Sequence, residues 1–197
     1  ILITEFKKKK KNIYLKFLER RARRILPALL FLLFFTSIFS YLFLSPENFQ
    51  NYFKSLISTI FFYSNFFFHF SSIEYGAIEG SFEPLLHTWS LSIEEQFYLF
   101  YPIFLLIILK KQKVYKYLIL IAILVSFIAA EYLSRNHSSL NFYLFITRAW
   151  EFLFGFLVYS WQKNIKYSYL AILGIFLILF SIFFINDKVL HPSFLTI

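Results

Sequence analysis

The chain has 197 residues, of which 59% are hydrophobic, 24% aromatic and only 16% charged, more apolar surface than one soluble core of this size can hide. Lipid is expected to cover the rest. The net charge of +9 comes from basic clusters beside apolar runs, the pattern of cytoplasmic membrane flanks, so no nucleic-acid partner is expected. The absence of Cys excludes disulfides, thiolate metal sites and a cysteine nucleophile. The absence of Met, with an opening Ile1–Thr4 that resembles no signal peptide, gives the expectation of an internal fragment truncated at both ends.

About twenty apolar residues are needed to cross the hydrocarbon core as a helix. In chain order, Ile25 to Leu44, Leu85 to Leu109, Tyr115 to Leu133 and Tyr167 to Ile185 meet that standard. Asn141 to Trp161 is a fifth, with Arg148 and Glu151 three residues apart and therefore able to pair on a helix. Phe53 to Phe70 is a doubtful sixth, broken by Ser55, Ser58, Thr59, Ser64, Asn65 and His69. The predicted fold is an all-α, multi-pass membrane bundle of about five spanning helices plus this re-entrant or doubtful sixth, in one domain over residues 1–197.

Charge flanks bear on the sixth segment. Lys7 to Lys11, Lys16 and Arg20 to Arg24 precede the first span, and Lys110, Lys111, Lys113 and Lys116 form a second basic loop. The loop Ser71 to Pro84 holds Glu74, Glu79 and Glu83 with no Lys or Arg. Both basic loops, and the later Lys163 and Lys166, fall inside only if Phe53 to Phe70 dips in and returns or lies buried within the bundle. Irregular backbone at membrane depth needs protein or water around it, so this reading predicts a cavity nearby.

The polar cluster HTWSLSIEEQFY, His87 to Tyr98, runs straight into the apolar stretch ending at Leu109. At about 100° per residue, His87, Ser90, Glu94, Tyr98 and Tyr101 share an arc of roughly 80°, with Glu95 off that stripe. A neutral imidazole can take a proton from a hydroxyl, a carboxylate can orient and charge-stabilise it, and Tyr and Ser can position a polar substrate. The alternative is a buried network that ties helices together, or an aromatic interface belt at Trp89 and Tyr98. Arg148 and Glu151 either form a structural pair or line the same cavity. Glu94 and Arg148 are expected to face the bundle interior within direct or water-bridged reach.

Arg20, Arg21, Arg23 and Arg24 sit where the first span enters the membrane. Guanidinium groups suit forked contacts with phosphate oxygens, so an anionic cytoplasmic ligand such as a nucleotide-bearing cofactor fits; a topological anchor on anionic lipid fits as well. Pro27 belongs in the first turn of that span. His69, His137 and His191 stand alone, without metal-ligand spacing.

FLERRARRILPALL, LSPENF, PLLHTWSLSIEEQFYLFYPIF, FYLFITRAWEFLFGFLV and DKVLHPS occur in an order and spacing that resembles the bacterial acyltransferase 3 family, multi-pass enzymes that O-acylate extracytoplasmic polysaccharides. The PLLHTWSL wording is similar to the branch that modifies lipopolysaccharide O-antigen. The resemblance implies that Arg20, Arg23 and Arg24 contact the acyl donor, acetyl-coenzyme A, a substrate rather than a resident cofactor. It implies further that Trp89, Ser90, Glu94, Gln96, Phe97 and Tyr98 form the central signature, and that Arg148, Glu151 and Gly155 match a later R-x-x-E-x-x-x-G pattern. The family's essential histidine lies in a first membrane helix upstream of this chain, so the role of His87 as catalytic group or structural residue stays open and the chain alone is expected to be inactive.

The resulting expectation is an O-acyltransferase of the bacterial inner membrane, with Glu94 and His87 as catalytic candidates and Trp89, Ser90, Gln96, Tyr98, Arg148 and Glu151 lining the cavity. Its partners are membrane lipid, acetyl-coenzyme A and a polysaccharide acceptor. The rival is a transporter or flippase of an anionic glycan or lipid precursor, for which intramembrane charges serve equally well. A structural membrane subunit is the third reading.

Overall fold

The computed structural model describes residues 13–71, 83–110, 115–161, 168–184 and Pro192. Every element among the described residues is helical: α1 Ile13–Phe43, α2 Pro46–Ile60, α3 Ser64–Ser71, α4 Thr88–Lys110, α5 Tyr115–Asn136, α6 Ser138–Tyr143, α7 Phe145–Trp161 and α8 Ser168–Phe184. The chain divides into two compact units, residues 1–115 and 116–197. The opening Ile1–Thr4, Lys7 to Lys11, Glu74, Glu79, Lys111, Lys113, Lys163, Lys166 and His191 lie outside the described residues.

Two helices among the described residues are long and apolar enough to cross a membrane by length and composition, Ile13–Phe43 and Tyr117–Asn136. Less than a quarter of either apolar stretch is buried, whereas the core helix of a soluble protein would be mostly covered. On α1 the exposed side chains include Leu30, Phe31, Phe34, Phe39 and Phe43, and on α8 the run Ile175 to Phe180 is exposed on every side. Such all-round apolar exposure belongs to a helical membrane protein.

In the first unit, α1 extends well ahead of its apolar run, so Pro27 lies inside the helix and not in its first turn. The motif Ser45-Pro46-Glu47 starts α2 by ordinary capping chemistry. Ser45 Oγ accepts from Asn48 N at 3.4 Å, Pro46 occupies the first turn where no amide donor is needed, and Glu47 meets the positive end of the helix dipole. Tyr52 joins α2 to α1, its hydroxyl 2.8 Å from Ser37 Oγ and 3.2 Å from Thr36 Oγ1.

The segment Phe53 to Phe70 is not one helix. It breaks at residues 61–63, where Tyr63 N donates to Ser58 O at 2.9 Å and Phe62 N to Thr59 O at 3.1 Å around Phe62 at φ 55°. This is a Schellman end with phenylalanine in the left-handed position that usually takes glycine. At about 1.5 Å per residue, α2 is roughly 22 Å long and α3 roughly 12 Å, so neither alone matches a hydrocarbon core of about 30 Å. The six polar residues that interrupt its hydropathy are all buried.

Two other sequence boundaries are corrected. Residues 85–87 form a turn, so α4 starts at Thr88 and His87 precedes the helix whose stripe it was assigned to. Asn141 to Trp161 is interrupted at Leu144, whose backbone is extended at φ −85° and ψ 132°. Thr147 Oγ1 bridges that break, donating to Asn141 O at 2.6 Å and Leu144 O at 2.7 Å. In the second unit, Ser126 Oγ on α5 donates to Ile146 O at 2.5 Å and accepts from Trp150 N at 2.9 Å. The Phe127 and Trp150 rings meet edge to face at 5.5 Å, and Asn141 Nδ2 donates to Pro192 O at 2.8 Å.

Candidate acyl-transfer site

The signature helix α4 has two polar faces, and they do different work. Thr88, Ser92 and Gln96, spaced four apart, point into the first unit. Thr88 Oγ1 lies 2.8 Å from Thr59 Oγ1 and donates to Ser64 Oγ at 3.2 Å, and Ser64 Oγ lies 2.7 Å from Ser92 Oγ. Gln96 Nε2 donates to Asn65 Oδ1 at 2.8 Å and to Phe62 O at 3.0 Å. The α2–α3 turn is thus bound to α4 by hydroxyls and amides, as apolar segments without a hydrophobic drive between them require. The structural-network reading of the signature holds for this face.

His87, Ser90 and Glu94 lie on the opposite, exposed side. Ser90 Oγ donates back to His87 O at 3.0 Å, within one turn. Among the described residues, the His87 imidazole and the Glu94 carboxylate make no hydrogen bond or ion pair. The expectation that Glu94 faces the interior is corrected for the first unit; the inward carboxylate at this level is Glu95, which the periodicity had set aside. Adjacent carboxylates differ by about 100° in azimuth, and composition does not say which one the fold turns inward.

Glu95 receives the arginine cluster. Arg21 Nη2 donates to Glu95 Oε1 at 3.0 Å, with side chains only 18% and 15% exposed. The guanidinium carbon lies 3.3 Å from the centre of the Tyr98 ring, a close cation–π contact. Phe17 meets the same ring at 6.2 Å, and Tyr14 OH donates to Leu99 O at 3.4 Å. Contacts 14 to 99, 17 to 98 and 21 to 95 show α1 and α4 running antiparallel where they meet.

The three donor-binding candidates Arg20, Arg23 and Arg24 are all exposed. Arg23 is held by Glu19, Nη2 to Oε1 at 2.8 Å, one helical turn away. Arg21, which is not in that set, is the inward member of the cluster; Phe17 and Tyr14, at i−4 and i−7 from it, are the signal in the sequence. Of the remaining cavity candidates, Trp89 and Tyr98 are half-buried and Gln96 is engaged at the turn.

Arg148 and Glu151 belong to the second unit. They approach only to 3.9 Å, while Arg148 Nε donates to Phe142 O at 3.1 Å and its guanidinium lies 4.9 Å from the Phe142 ring centre. Arg148 therefore clamps α6 to α7 across the Leu144 break as well as meeting Glu151. Gly155 is exposed with open space where a Cβ would stand, so packing within this unit does not require glycine there.

A family model described as an acyltransferase domain matches residues 1–195. The chain is 35% identical over 170 residues to the peptidoglycan O-acetyltransferase OatA of Listeria monocytogenes, covering 83% of this chain and 27% of that protein. It is 36% identical over 113 residues to the O-acetyltransferase OatA of Staphylococcus aureus, covering 57% of this chain and 18% of that protein. With the putative peptidoglycan O-acetyltransferase YrhL of Bacillus subtilis the identity is 41% over 91 residues, 46% of this chain and 14% of that one. The chain thus spans about a quarter or less of these relatives, and no solved structure matches it. With the family model matching nearly its whole length, the chain belongs to the acyltransferase 3 family.

Proposed function

We propose that the protein is a membrane-embedded O-acyltransferase that moves an acetyl group from acetyl-coenzyme A to a hydroxyl of a cell-envelope polysaccharide. The observation that carries this reading is the division of α4. Its Thr88, Ser92 and Gln96 are consumed by packing, whereas the exposed side chains of His87 and Glu94, on the other side of α4, make no hydrogen bond or ion pair among the described residues. A carboxylate in an apolar helix that no structural contact uses is available for chemistry. Peptidoglycan is the acceptor that the relatives' names support, in place of the lipopolysaccharide suggested by the PLLHTWSL wording.

In this reaction a base takes the proton of the sugar hydroxyl, the oxygen attacks the thioester carbonyl, and coenzyme A leaves as its thiol. Glu94 orients the base and stabilises the positive charge it gains with the hydroxyl proton, and Arg20, Arg23 and Arg24 hold the donor phosphates from the cytoplasmic side. This reading includes a bacterial inner-membrane location and five spans, with α2 and α3 dipping in and returning. The test is Glu94→Gln, which keeps the shape and removes the charge. Polysaccharide O-acetyl content should fall to background while membrane-inserted protein persists, because Glu94 is exposed and holds no hydrogen bond or ion pair among the described residues. A fully active Gln variant would remove Glu94 from the site.

A further inference from the structure

The basic turn of α1 contains four arginines, and the structure treats one of them differently. Arg21 is turned against α4, held by Glu95 and lying under Tyr98, while Arg20, Arg23 and Arg24 are exposed. At about 100° per residue, those three share an arc of roughly 100° that begins about 60° from Arg21. Tyr14 and Phe17 complete the stripe that faces α4. The rotation of α1 about its own axis at this level is therefore fixed by four contacts, and the Arg21–Glu95 ion pair is the one between opposite charges.

We propose that Glu95 is a positioning residue for the acyl donor: through Arg21 it sets the azimuth of α1 and so aims Arg20, Arg23 and Arg24 as one cationic face. This rests on the proposed function. The pairing also neutralises a carboxylate that would otherwise repel the donor's phosphates from beside the cluster, 3.0 Å from Arg21. A helix held only by Phe17, the Tyr14 hydrogen bond and the Arg21–Tyr98 ring contact loses its one contact between opposite charges, so a loosened Arg21 lets the three-arginine face turn away from the phosphates. Glu95 touches no donor atom in this account.

The test is donor titration with acetyl-coenzyme A in membrane vesicles holding the intact protein. Glu95→Gln is expected to raise the KM for acetyl-coenzyme A about tenfold or more, the scale of a lost hydrogen bond to a charged group, with kcat near that of the parent. The double variant Glu95→Gln with Arg21→Gln should be no worse than the poorer single variant, since both act through one contact. Tyr98→Leu keeps the ion pair and removes the ring, and should raise the same KM by a smaller factor; it serves as the measurement if Glu95→Gln fails to insert. Unchanged donor KM in an inserted variant, or loss of kcat at unchanged KM, would overturn the positioning role and leave the proposed function standing. A parent protein that transfers no acetyl group from acetyl-coenzyme A would overturn both.

Discussion

Gln96 Nε2 donates to the carbonyl of Phe62, a non-glycine residue held in the left-handed region at φ 55°. The same amide donates to Asn65 Oδ1, so one side chain of the signature helix closes the turn between α2 and α3. Left-handed backbone costs a residue with a Cβ about 1–2 kcal/mol, and the turn persists because its Schellman bonds and Gln96 over-determine it.

A ranking follows for substitutions at this turn. Phe62→Ala loses the half-buried ring and keeps the strain, whereas Phe62→Gly loses the ring and relieves it, so the Gly variant should be more stable than the Ala variant by about 1 kcal/mol. Gln96→Leu removes the donor to the Phe62 carbonyl and to the Asn65 amide oxygen and should cost about 1–3 kcal/mol. Thermal unfolding in detergent measures all three, and an Ala variant as stable as the Gly variant would contradict the strained turn.

Acid dependence is expected from Glu83, which precedes α4 outside the apolar run. Burial pushes its carboxyl up, and Oε2 has no hydrogen-bond partner among the described residues. The folded state then binds the proton more tightly than the unfolded chain does. Its contribution is fully present below the ordinary carboxylate value and is lost as pH rises through the raised folded value. Glu83→Gln should therefore raise the Tm at neutral pH and flatten the fall in Tm between about pH 4.5 and neutrality. A parent whose Tm does not fall over that range would contradict it.

Topology is open to direct measurement because the chain has no Cys. Single cysteines at Glu79 and Lys111 should react with an impermeant reagent from outside and from inside, respectively, as the charge bias of the two loops requires. Labelling of position 111 from outside would reverse the orientation and make Phe53 to Phe70 a crossing segment.

Much of this protein was legible in order of residues alone. Long apolar runs dictate helices because only intrahelical bonds satisfy the backbone away from water, and α1, α4, α5 and α8 formed over the segments that hydropathy marked. Ser45-Pro46-Glu47 carries its own start signal, and the family read from the motif wording is the one whose model matches residues 1–195. The interruptions in Phe53 to Phe70 and the break at Leu144 were less legible. A left-handed Phe62 and an extended Leu144 are unfavourable or unmarked in backbone propensity and are selected by side-chain partners: Gln96 on another helix for the first, and the neighbouring Thr147 and Arg148 for the second. Only tertiary structure decided which of two adjacent carboxylates turns inward and which arginine of four meets it. Periodicity fixes angles within a helix, but its absolute rotation is set by the side chains it meets; here Tyr14, Phe17 and Arg21 meet Leu99, Tyr98 and Glu95.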